Sequence, residues 1–461
     1  MKLWGGRFEG GPSEVFDRFG RSLDFDRILV DADLRGSLAH ARGLHKIGIL
    51  NAEELAVLTS ALEQMRKEAA AAVFFDNAEE EDVHTVVIRK LKERAGADLA
   101  DKIHTGRSRN DQVSLDVRLW LRERIDDAKQ HLTGLMEELL ALASRYPEAI
   151  IPGYTHTRRA QPVLWPHYIL AYFEMFARDW ERLGEARRRA NVMPLGSGAM
   201  AGSGFPIDRA AVATELGFDA ITRNSMDVSG DRDFLLDFEH AANLIFLHLS
   251  RLAEDWILYT GEEYGWMDLG DGVTSGSSMM PQKRNPDSLE LIRGKAGRVF
   301  GSYMALLVTM KGLPMTYNRD MQEDKEPLFD VVSQLIGSLE MARVTVSTAV
   351  LKPDVPKLAA ERSWAVATDL ADALARNGMP FHQAHKVVGQ MVLESVRAGK
   401  SALDWTGAEL TAFHPAFTAE MAALLNPREG IKTREIFGGT GPRMVALALE
   451  EAYKRLAEMK E

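Results

Sequence analysis

Residues 276–286 carry hydroxyl, amide and cationic side chains in a segment that suits neither a helix nor a strand. Glycine and serine are frequent over residues 270–278, which predicts a flexible loop. Pro281 and Pro286 each remove a backbone donor and bias the preceding residue away from helix. The segment is therefore predicted to be a mobile loop followed by a rigid turn.

The turn carries groups that bind anions. Lys283 provides one cation and Arg284 a second, and a helical pattern begins at Ser288. The amino terminus of a helix adds its own partial positive charge. This arrangement predicts a site for a small dianion beside the reactive hydroxyls of Ser277 and Ser278.

Two earlier polar turns have the same character. Residues 104–112 are dense in hydrogen-bond donors and open a long helical pattern, which we expect Asn110 or Asp111 to cap. Residues 152–162 form a third turn before another long helix, and His156 lies within it. A polar cluster of this kind can hold an imidazole in one tautomer for acid–base chemistry.

These turns, with a fourth over residues 312–326, suit a β-elimination if they converge. Such a reaction needs a base for the proton next to a carboxylate, a cation for the developing oxyanion, and an acid for the leaving nitrogen. Lys283 meets the second need. Ser277 becomes a plausible base only if neighbouring donors and cations stabilise its alkoxide in a closed site.

The composition limits the functional classes. The chain has 461 residues, a net charge of −11, 46% hydrophobic residues and no cysteine. The acidic balance argues against a nucleic-acid partner, and the lack of cysteine excludes disulfides and thiolate metal sites. We found no membrane-length apolar segment, no metal-ligand constellation and no nucleotide-binding loop, so we expect a cytoplasmic protein without metal or cofactor.

Helical periodicity dominates and no sustained period-two pattern occurs, which predicts an all-α fold. Five stretches of about 25–35 residues exceed the usual helix length. Helices this long predict a bundle that packs against copies of itself. Two prolines at 353 and 356 suggest a boundary, and we divide the chain into an N-terminal helical domain (1–107), a central bundle and tetramerisation domain (108–356), and a C-terminal helical domain (357–461).

Residues 276–286 resemble the signature of the fumarase/aspartase superfamily of lyases, which reads roughly Gly-Ser-Ser-x-Met-Pro-x-Lys-x-Asn-Pro. Further segments resemble the argininosuccinate lyase family, and the similarity runs to the glycines at 438–439. These segments are residues 3–8, 104–112, 153–156 and 313–325. The resemblance implies reversible cleavage of argininosuccinate to arginine and fumarate without a cofactor. It also implies three all-helical domains whose central bundle forms a homotetramer, with each active site shared between subunits.

The resemblance also implies roles for individual residues. Ser277 matches the catalytic serine and His156 the catalytic histidine, Lys283 matches the lysine that faces the carboxylate, and Glu290 matches the carboxylate that orients His156. We favour Ser277 as the base, with His156 assisting protonation of the leaving guanidino group; the reverse assignment stays open. The expected substrate-binding residues are Ser22, Ser108, Asn110, Thr155, Asn285, Tyr317, Gln322 and Lys325.

Two other interpretations compete with this one. A sister lyase would act on another N-substituted aspartate such as adenylosuccinate, which residues 317–325 argue against. A non-enzymatic, crystallin-like structural protein would share the fold, but an inactive relative would be expected to lose catalytic residues. Ser277 and His156 are both present.

Overall fold

The structure is a computed structural model, and it describes residue 11 and residues 13–460. The matched segment 3–8, which we expected to form an ordered N-terminal arm, lies outside the described residues. Helices make up 70% of the chain, so the predicted all-α class is confirmed. Among the described residues, no helix combines the length and hydropathy needed to cross a bilayer.

Nineteen α-helices follow one another along the described chain. The first ten are α1 (Glu14–Gly20), α2 (Leu23–Asp26), α3 (Val30–Lys46), α4 (Ala52–Ala69), α5 (Val83–Ala95), α6 (Ala97–Lys102), α7 (Arg109–Arg145), α8 (Trp165–Ala190), α9 (Arg209–Glu215) and α10 (Ser225–Gly230). The others are α11 (Asp233–Thr260), α12 (Asp287–Met310), α13 (Lys325–Thr348), α14 (Asp354–Glu361), α15 (Ala367–Arg376), α16 (Phe381–Ala398), α17 (Gly407–Phe413), α18 (Pro427–Ile431) and α19 (Pro442–Lys460).

The strands are short and pair in twos. They are β1 (Ile150–Thr155), β2 (Arg158–Leu164), β3 (Val192–Met193), β4 (Ala220–Ile221), β5 (Met267–Asp268), β6 (Ser275–Gly276), β7 (Arg284–Asn285) and β8 (Val350–Leu351). β1 with β2, β5 with β8 and β6 with β7 are antiparallel, whereas β3 with β4 is parallel. Only β1 with β2 and β6 with β7 enclose a local turn, and each of the four sheets has two strands.

Five long helices, α7, α8, α11, α12 and α13, provide the framework, and they occupy the five stretches predicted from periodicity. They contain 37, 26, 28, 24 and 24 residues. An apolar seam along α11 is buried throughout, because residues at spacings of three and four share one helix face. Its members are Phe234, Phe238, Ala241, Ile245, Leu249, Leu252 and Trp256.

The chain divides into two compact units, each assembled from three separate stretches of sequence. The first comprises Met1–Ala128, Glu181–Asn243 and Arg298–Leu335, and the second comprises Lys129–Trp180, Leu244–Gly297 and Ile336–Glu461. One apolar cluster draws its buried members from residues 23–103, and another draws them from residues 366–425. The predicted domains, with boundaries at residues 107 and 356, are continuous in sequence, whereas each of these units combines three stretches. The predicted division stays a prediction.

Candidate active site

One cavity in the first unit gathers several of the predicted binding residues. Its volume is about 570 Å³. The lining residues are Ser22, Asp26, Glu81, Asp82, His84, Asp101, His104, Arg109, Asn110, Val113, Tyr317, Arg319, Gln322 and Lys325. Nearly all are polar or charged, so the cavity suits a ligand with several charges.

The start of α7 forms one wall. Ser108, the residue before the helix, donates its backbone N–H to Asp111 (2.9 Å), and its hydroxyl accepts from the N–H of Asn110 (3.3 Å). Ser108 is therefore the cap, rather than Asn110 or Asp111 as the sequence suggested. The Asp111 carboxylate also accepts from the N–H groups of Gly196 (3.0 Å) and Gly198 (2.8 Å). These bonds fix the helix start and leave the Asn110 side chain at the cavity.

The segment before α13 supplies further hydrogen-bond donors to the cavity. Thr316 has a positive φ of 70°, which turns the chain into Tyr317 and the 3₁₀-helix Arg319–Asp324. Gly230 permits this turn, because a Cβ at that position would lie 2.8 Å from the Thr316 carbonyl oxygen. Gly230 of α10 thus allows the backbone conformation that places Tyr317 at the cavity.

Hydrogen bonds from two side chains of that segment tie it to the Ser22 loop. Gln322 donates to the carbonyl of Gly20 (3.2 Å), and Arg319 donates to the same carbonyl (2.7 Å). Arg319 also pairs with the carboxylate of Glu81 (2.8 Å). The Ser22 hydroxyl donates to Asp26 (2.6 Å). The cavity wall is therefore cross-linked across sequence separations of about 300 residues.

Burial and paired charges set the ionisation of the lining. Burial alone would raise the pKa of Asp82, but the charges of His84 and Arg109 and hydrogen bonds from Thr85 together lower it. Burial, followed by the charges of Arg107 and Arg109, lowers the pKa of His104 to about 4. At neutral pH Asp82 is an anion, whereas His104 is neutral and can only accept or donate a hydrogen bond.

Ser277 lies at the tip of a narrow ribbon in the second unit. Ser275 pairs with Asn285 and Gly276 with Arg284, so that residues 277–283 form the tip. The Ser277 hydroxyl oxygen accepts the backbone N–H groups of Met279 (3.2 Å) and Met280 (3.0 Å). Two amide donors on one oxygen favour its negatively charged form. These two bonds hold the Ser277 hydroxyl in a local turn, and the mobility of the loop stays a prediction.

The two cations of this segment differ in their surroundings. Arg284 donates to the Leu269 carbonyl (2.9 Å) and pairs with Asp271 (2.8 Å), so it fastens the ribbon. Lys283 is exposed, and the Asn285 amide contacts the Ser275 hydroxyl at 3.4 Å. Both cations are exposed, but Arg284 is held by these contacts.

His156 sits at the tip of the hairpin formed by β1 and β2, within the segment predicted to be a polar turn before a long helix. His156 and Thr157 have φ values of 53° and 56°. Both values lie in the left-handed region, which two-residue hairpin turns require and which glycine and asparagine usually fill. The rings of Tyr154 and Trp266 pack against each other with centroids 5.9 Å apart. The hairpin therefore presents Thr155 and His156 to solvent on a strained but anchored turn.

The predicted site residues fall into two sets. The first unit brings Ser22, Asn110, Tyr317, Gln322 and Lys325 to one cavity. The remaining ones, apart from the cap residue Ser108, lie in the second unit and are Thr155, His156, Ser277, Lys283, Asn285 and Glu290. Among the hydrogen bonds and ion pairs of the described residues, none joins Ser277, His156 and Glu290 to one another.

Sequence reasoning missed the acidic lining of the cavity. Glu81 and Asp82 belong to an acidic run to which no function was assigned, and Asp26 and Asp101 carried no local signal. The run could have been flagged because Asp82 precedes a helix, where it accepts from the Thr85 N–H (2.8 Å). An acidic helix cap is fixed in place, unlike a free surface carboxylate.

Three buried side chains behind the cavity could in principle hold a cation. They are Asp33, His84 and Asp116, from α3, α5 and α7, and their ligand atoms lie within 4.8 Å of one another. The buried Arg107 guanidinium, however, acts on both carboxylates and supplies a positive charge there. We therefore assign the trio to the packing of the three helices.

Comparisons with known families identify two matching regions. A family model described as Lyase matches residues 6–301, and one described as Argininosuccinate lyase C-terminal matches residues 364–432. The argininosuccinate lyase of Solibacter usitatus is 66% identical over 459 residues, which cover 100% of both chains. That of Synechocystis sp. is 47% identical and covers 99% of both chains.

Solved structures share the fold. EDDS lyase in complex with formate superposes with a TM-score of 0.86 at 27% identity and covers 98% of this chain and 91% of its own. The class II fumarase of Schistosoma mansoni gives a TM-score of 0.76 at 15% identity, covering 90% and 92%. The second likeness concerns the fold alone.

Proposed function

The chain belongs to the argininosuccinate lyase family, and on that premise we propose that its cavity holds the arginine part of argininosuccinate while Ser277 takes a proton from the succinyl part. The reaction is a reversible β-elimination that yields L-arginine and fumarate, a step of arginine biosynthesis. The observation that carries the proposal is the pair of amide donors, from Met279 and Met280, on the Ser277 hydroxyl oxygen.

The mixed charge of the cavity supports this placement of the substrate. The arginine part of argininosuccinate carries an ammonium, a carboxylate and a guanidinium, whereas the succinyl part carries two carboxylates. Glu81 and Asp82 would repel the succinyl part but attract the cations of the arginine part. Lys325, Tyr317 and Gln322 supply donors for the single carboxylate.

The second set of residues suits the succinyl part. Lys283, Asn285 and Thr155 offer one cation and hydrogen-bond donors for two carboxylates. The Ser277 alkoxide removes a proton from the carbon next to a carboxylate, and Lys283 stabilises the charge that develops on that carboxylate. His156, oriented by Glu290, assists protonation of the departing guanidino nitrogen. The opposite assignment of Ser277 and His156 is the alternative.

We propose a homotetramer whose active sites combine residues of different subunits. Phe300, Met304 and Val308 recur every four residues on α12 and are 42%, 57% and 58% exposed. Such a stripe is costly in water and suits burial against a second copy. His156 and Lys283 are exposed as well, as expected of residues that serve a neighbouring subunit. The cytoplasmic location stays a prediction from the sequence, which has no membrane-length apolar segment.

The test is the release of fumarate, measured by its ultraviolet absorbance when purified protein is mixed with argininosuccinate. Ser277→Ala should lower kcat about 10²–10⁴-fold, since that is the usual contribution of a positioned base. Ser278→Ala is the matched control and should retain most of the activity. Size-exclusion chromatography with light scattering checks that both variants assemble.

A near wild-type rate in Ser277→Ala would contradict the role of this serine. A panel containing adenylosuccinate and other N-substituted aspartates tests the sister-lyase interpretation. If the protein turns over one of them in preference to argininosuccinate, that compound is the substrate and the proposal is wrong on this point. If the assembled protein turns over none of these compounds, including argininosuccinate, a structural role is favoured.

A further inference from the structure

A second cavity lies within the second unit, and its lining is positively charged. Its volume is about 710 Å³, which is typical of a small-molecule site. Three arginines line it: Arg158 and Arg159 at the start of β2, and Arg362 directly after α14. Glu263 is the one carboxylate among the lining residues that the structure describes. Three guanidinium groups and one carboxylate give this lining a net charge of +2, although the chain as a whole carries −11.

Most of the hydrogen-bond donors of these arginines are not used by the protein. Among the described residues, no ion pair or hydrogen bond engages the side chain of Arg158, Arg362 or Glu263. Arg159 donates to the Ala359 carbonyl at 2.9 Å. Because a guanidinium has five N–H donors, the cavity keeps many donors for a ligand.

The hydrogen bond of Arg159 also joins two elements around the cavity. Ala359 lies in the last turn of α14, where carbonyl groups have no partner within the helix. Arg159 therefore caps this helix from the β1–β2 hairpin and lies in the same cavity as Arg362, which follows the helix. The arginines are thus held by two elements that are about 200 residues apart in sequence.

Three aromatic rings form a firm wall of the cavity. Tyr154 lies opposite Arg159 in the hairpin and packs against Trp266 and Tyr264, with centroids 5.9 and 6.1 Å apart. Tyr264 and Trp266 also contact each other, at 5.3 Å. Trp266 is only 2% exposed, so this wall belongs to the packed interior of the unit. A wall of this kind reduces the ordering that a ligand must impose when it binds.

The chemistry of the lining selects anions. Guanidinium groups bind carboxylate and phosphate groups through paired N–H···O bonds. A cluster of them on an acidic protein concentrates anions locally. The cavity of the first unit differs, since its lining contains the carboxylates of Asp26, Glu81, Asp82 and Asp101. A compact anion with several charges is therefore attracted to the second cavity rather than to the first.

We propose that the arginine pocket, defined by Arg158, Arg159 and Arg362, binds a small anion with at least two negative charges on carboxylate or phosphate groups. None of the residues that line this pocket is assigned to the proposed reaction. The inference therefore goes beyond that reaction and does not depend on it.

Isothermal titration calorimetry with pyrophosphate at low ionic strength is the direct test. Pyrophosphate should bind saturably, and Arg362→Ala should weaken the binding about tenfold or more, because hydrogen bonds between charged groups are among the strongest. Glu263→Gln should tighten the binding several-fold, because it removes a negative charge from the lining. Added salt should weaken it by screening.

A second titration distinguishes the two kinds of anion. It replaces pyrophosphate by tricarballylate, which carries three carboxylates. Tighter binding of pyrophosphate would assign the pocket to phosphate groups, and tighter binding of tricarballylate would assign it to carboxylates. Acetate, with its single charge, should not compete with either of them; equal binding of acetate would contradict the requirement for two charges.

Arg397→Ala on α16 is the matched control. Arg397 is an exposed arginine of the same unit that does not line the pocket, so its removal should leave pyrophosphate binding unchanged. Arg362→Ala should also keep the wild-type kcat for argininosuccinate, because Arg362 has no part in the proposed reaction. Light scattering checks the assembly of both variants.

Several outcomes would refute the pocket. One is the absence of saturable binding, and another is an Arg362→Ala variant that binds pyrophosphate as tightly as the wild type. An equal loss in Arg397→Ala would mean that the anion follows the overall charge of the surface. A change of oligomeric state in Arg362→Ala would show that the cavity is a contact between copies of the chain. If pyrophosphate binds as expected but argininosuccinate is not cleaved, the proposed function fails and the pocket stands.

Discussion

Two residues at the tip of the β1–β2 hairpin hold an unfavourable backbone conformation. His156 and Thr157 both have positive φ, and a β-branched residue such as Thr157 is rarely found there. Strain of this kind persists only where the surrounding structure enforces it, and it is common at functional sites. The Thr157 hydroxyl donates to the His156 carbonyl at 2.6 Å and helps to hold the turn.

Replacing Thr157 by glycine should release this strain. We expect Thr157→Gly to stabilise the protein by about 1 kcal/mol, because relief of a strained conformation outweighs the added freedom of glycine. We also expect kcat to fall several-fold, since the looser turn holds His156 less firmly. Urea unfolding and steady-state kinetics measure the two effects.

The control is Ser60→Gly, which places a glycine at an exposed position inside α4. No positive φ is present there, so this change should destabilise by about 0.5–1 kcal/mol. If Thr157→Gly destabilises the protein as much as Ser60→Gly does, the turn stores no strain.

The sequence predicted which residues form the site better than it predicted the local structure around them. The resemblance pointed to Ser277 and His156, and the sequence placed His156 in a polar turn but did not reveal the β-hairpin around it. The hairpin was missed because its turn lacks the Asn-Gly or Asp-Gly pair that signals such turns. The cap of α7 was misplaced by two or three residues, since Ser108, Asn110 and Asp111 are all good cap formers.

The helices themselves were largely predictable. The helical periodicity of residues 381–398 predicts α16 with its observed bounds, and Asn51 caps α4 through a reciprocal capping box with Glu54. Periodicity and capping are local, so a single sequence reveals them. The cavity was not predictable in this way, because Asp26, Glu81 and Asp101 come from separate elements that meet only in the folded chain.

Close packing between α10 and the turn at Thr316 is an example of such a non-local contact. Gly230→Ala would place a methyl group 2.8 Å from the Thr316 carbonyl oxygen. We expect a loss of about 1–3 kcal/mol in the free energy of unfolding, the usual cost of overpacking. The KM should rise several-fold, because the displaced turn carries Tyr317. Urea unfolding and steady-state kinetics again measure the two effects.

Gly389→Ala on α16 is the matched control. A Cβ at Gly389 meets no atom within 4 Å, and alanine favours helix over glycine by about 1 kcal/mol. This variant should be stabilised with unchanged KM. Equal stability changes in the two variants would mean that the backbone at Thr316 moves freely.

At the scale of the whole molecule, the proposed sharing of active sites predicts complementation between inactive variants. Ser277→Ala damages the set of residues in the second unit, and Lys325→Met damages the cavity in the first. If a site combines sets from different subunits, a mixed tetramer contains some sites with both sets intact. We expect each variant alone to have little activity at limiting substrate.

The measurement mixes the two variants under reversible denaturation and follows fumarate release after reassembly. Activity well above that of either parent is the expected result. The control mixes Ser277→Ala with His156→Asn at the same total concentration, which shows how two variants of the second unit behave. A Ser277→Ala and Lys325→Met mixture that stays at parental levels would contradict the exchange of residues between subunits.

The boundaries between the two compact units have a consequence for how the chain gains and loses its structure. Every one of them falls inside a long helix: within α7, α8, α11, α12 and α13. Unfolding of one unit would disrupt the backbone hydrogen bonds of all five helices. The units are joined by continuous helix and not by a flexible linker. Denaturation should therefore be a single cooperative event for the two units, and limited proteolysis should not release one unit from the other.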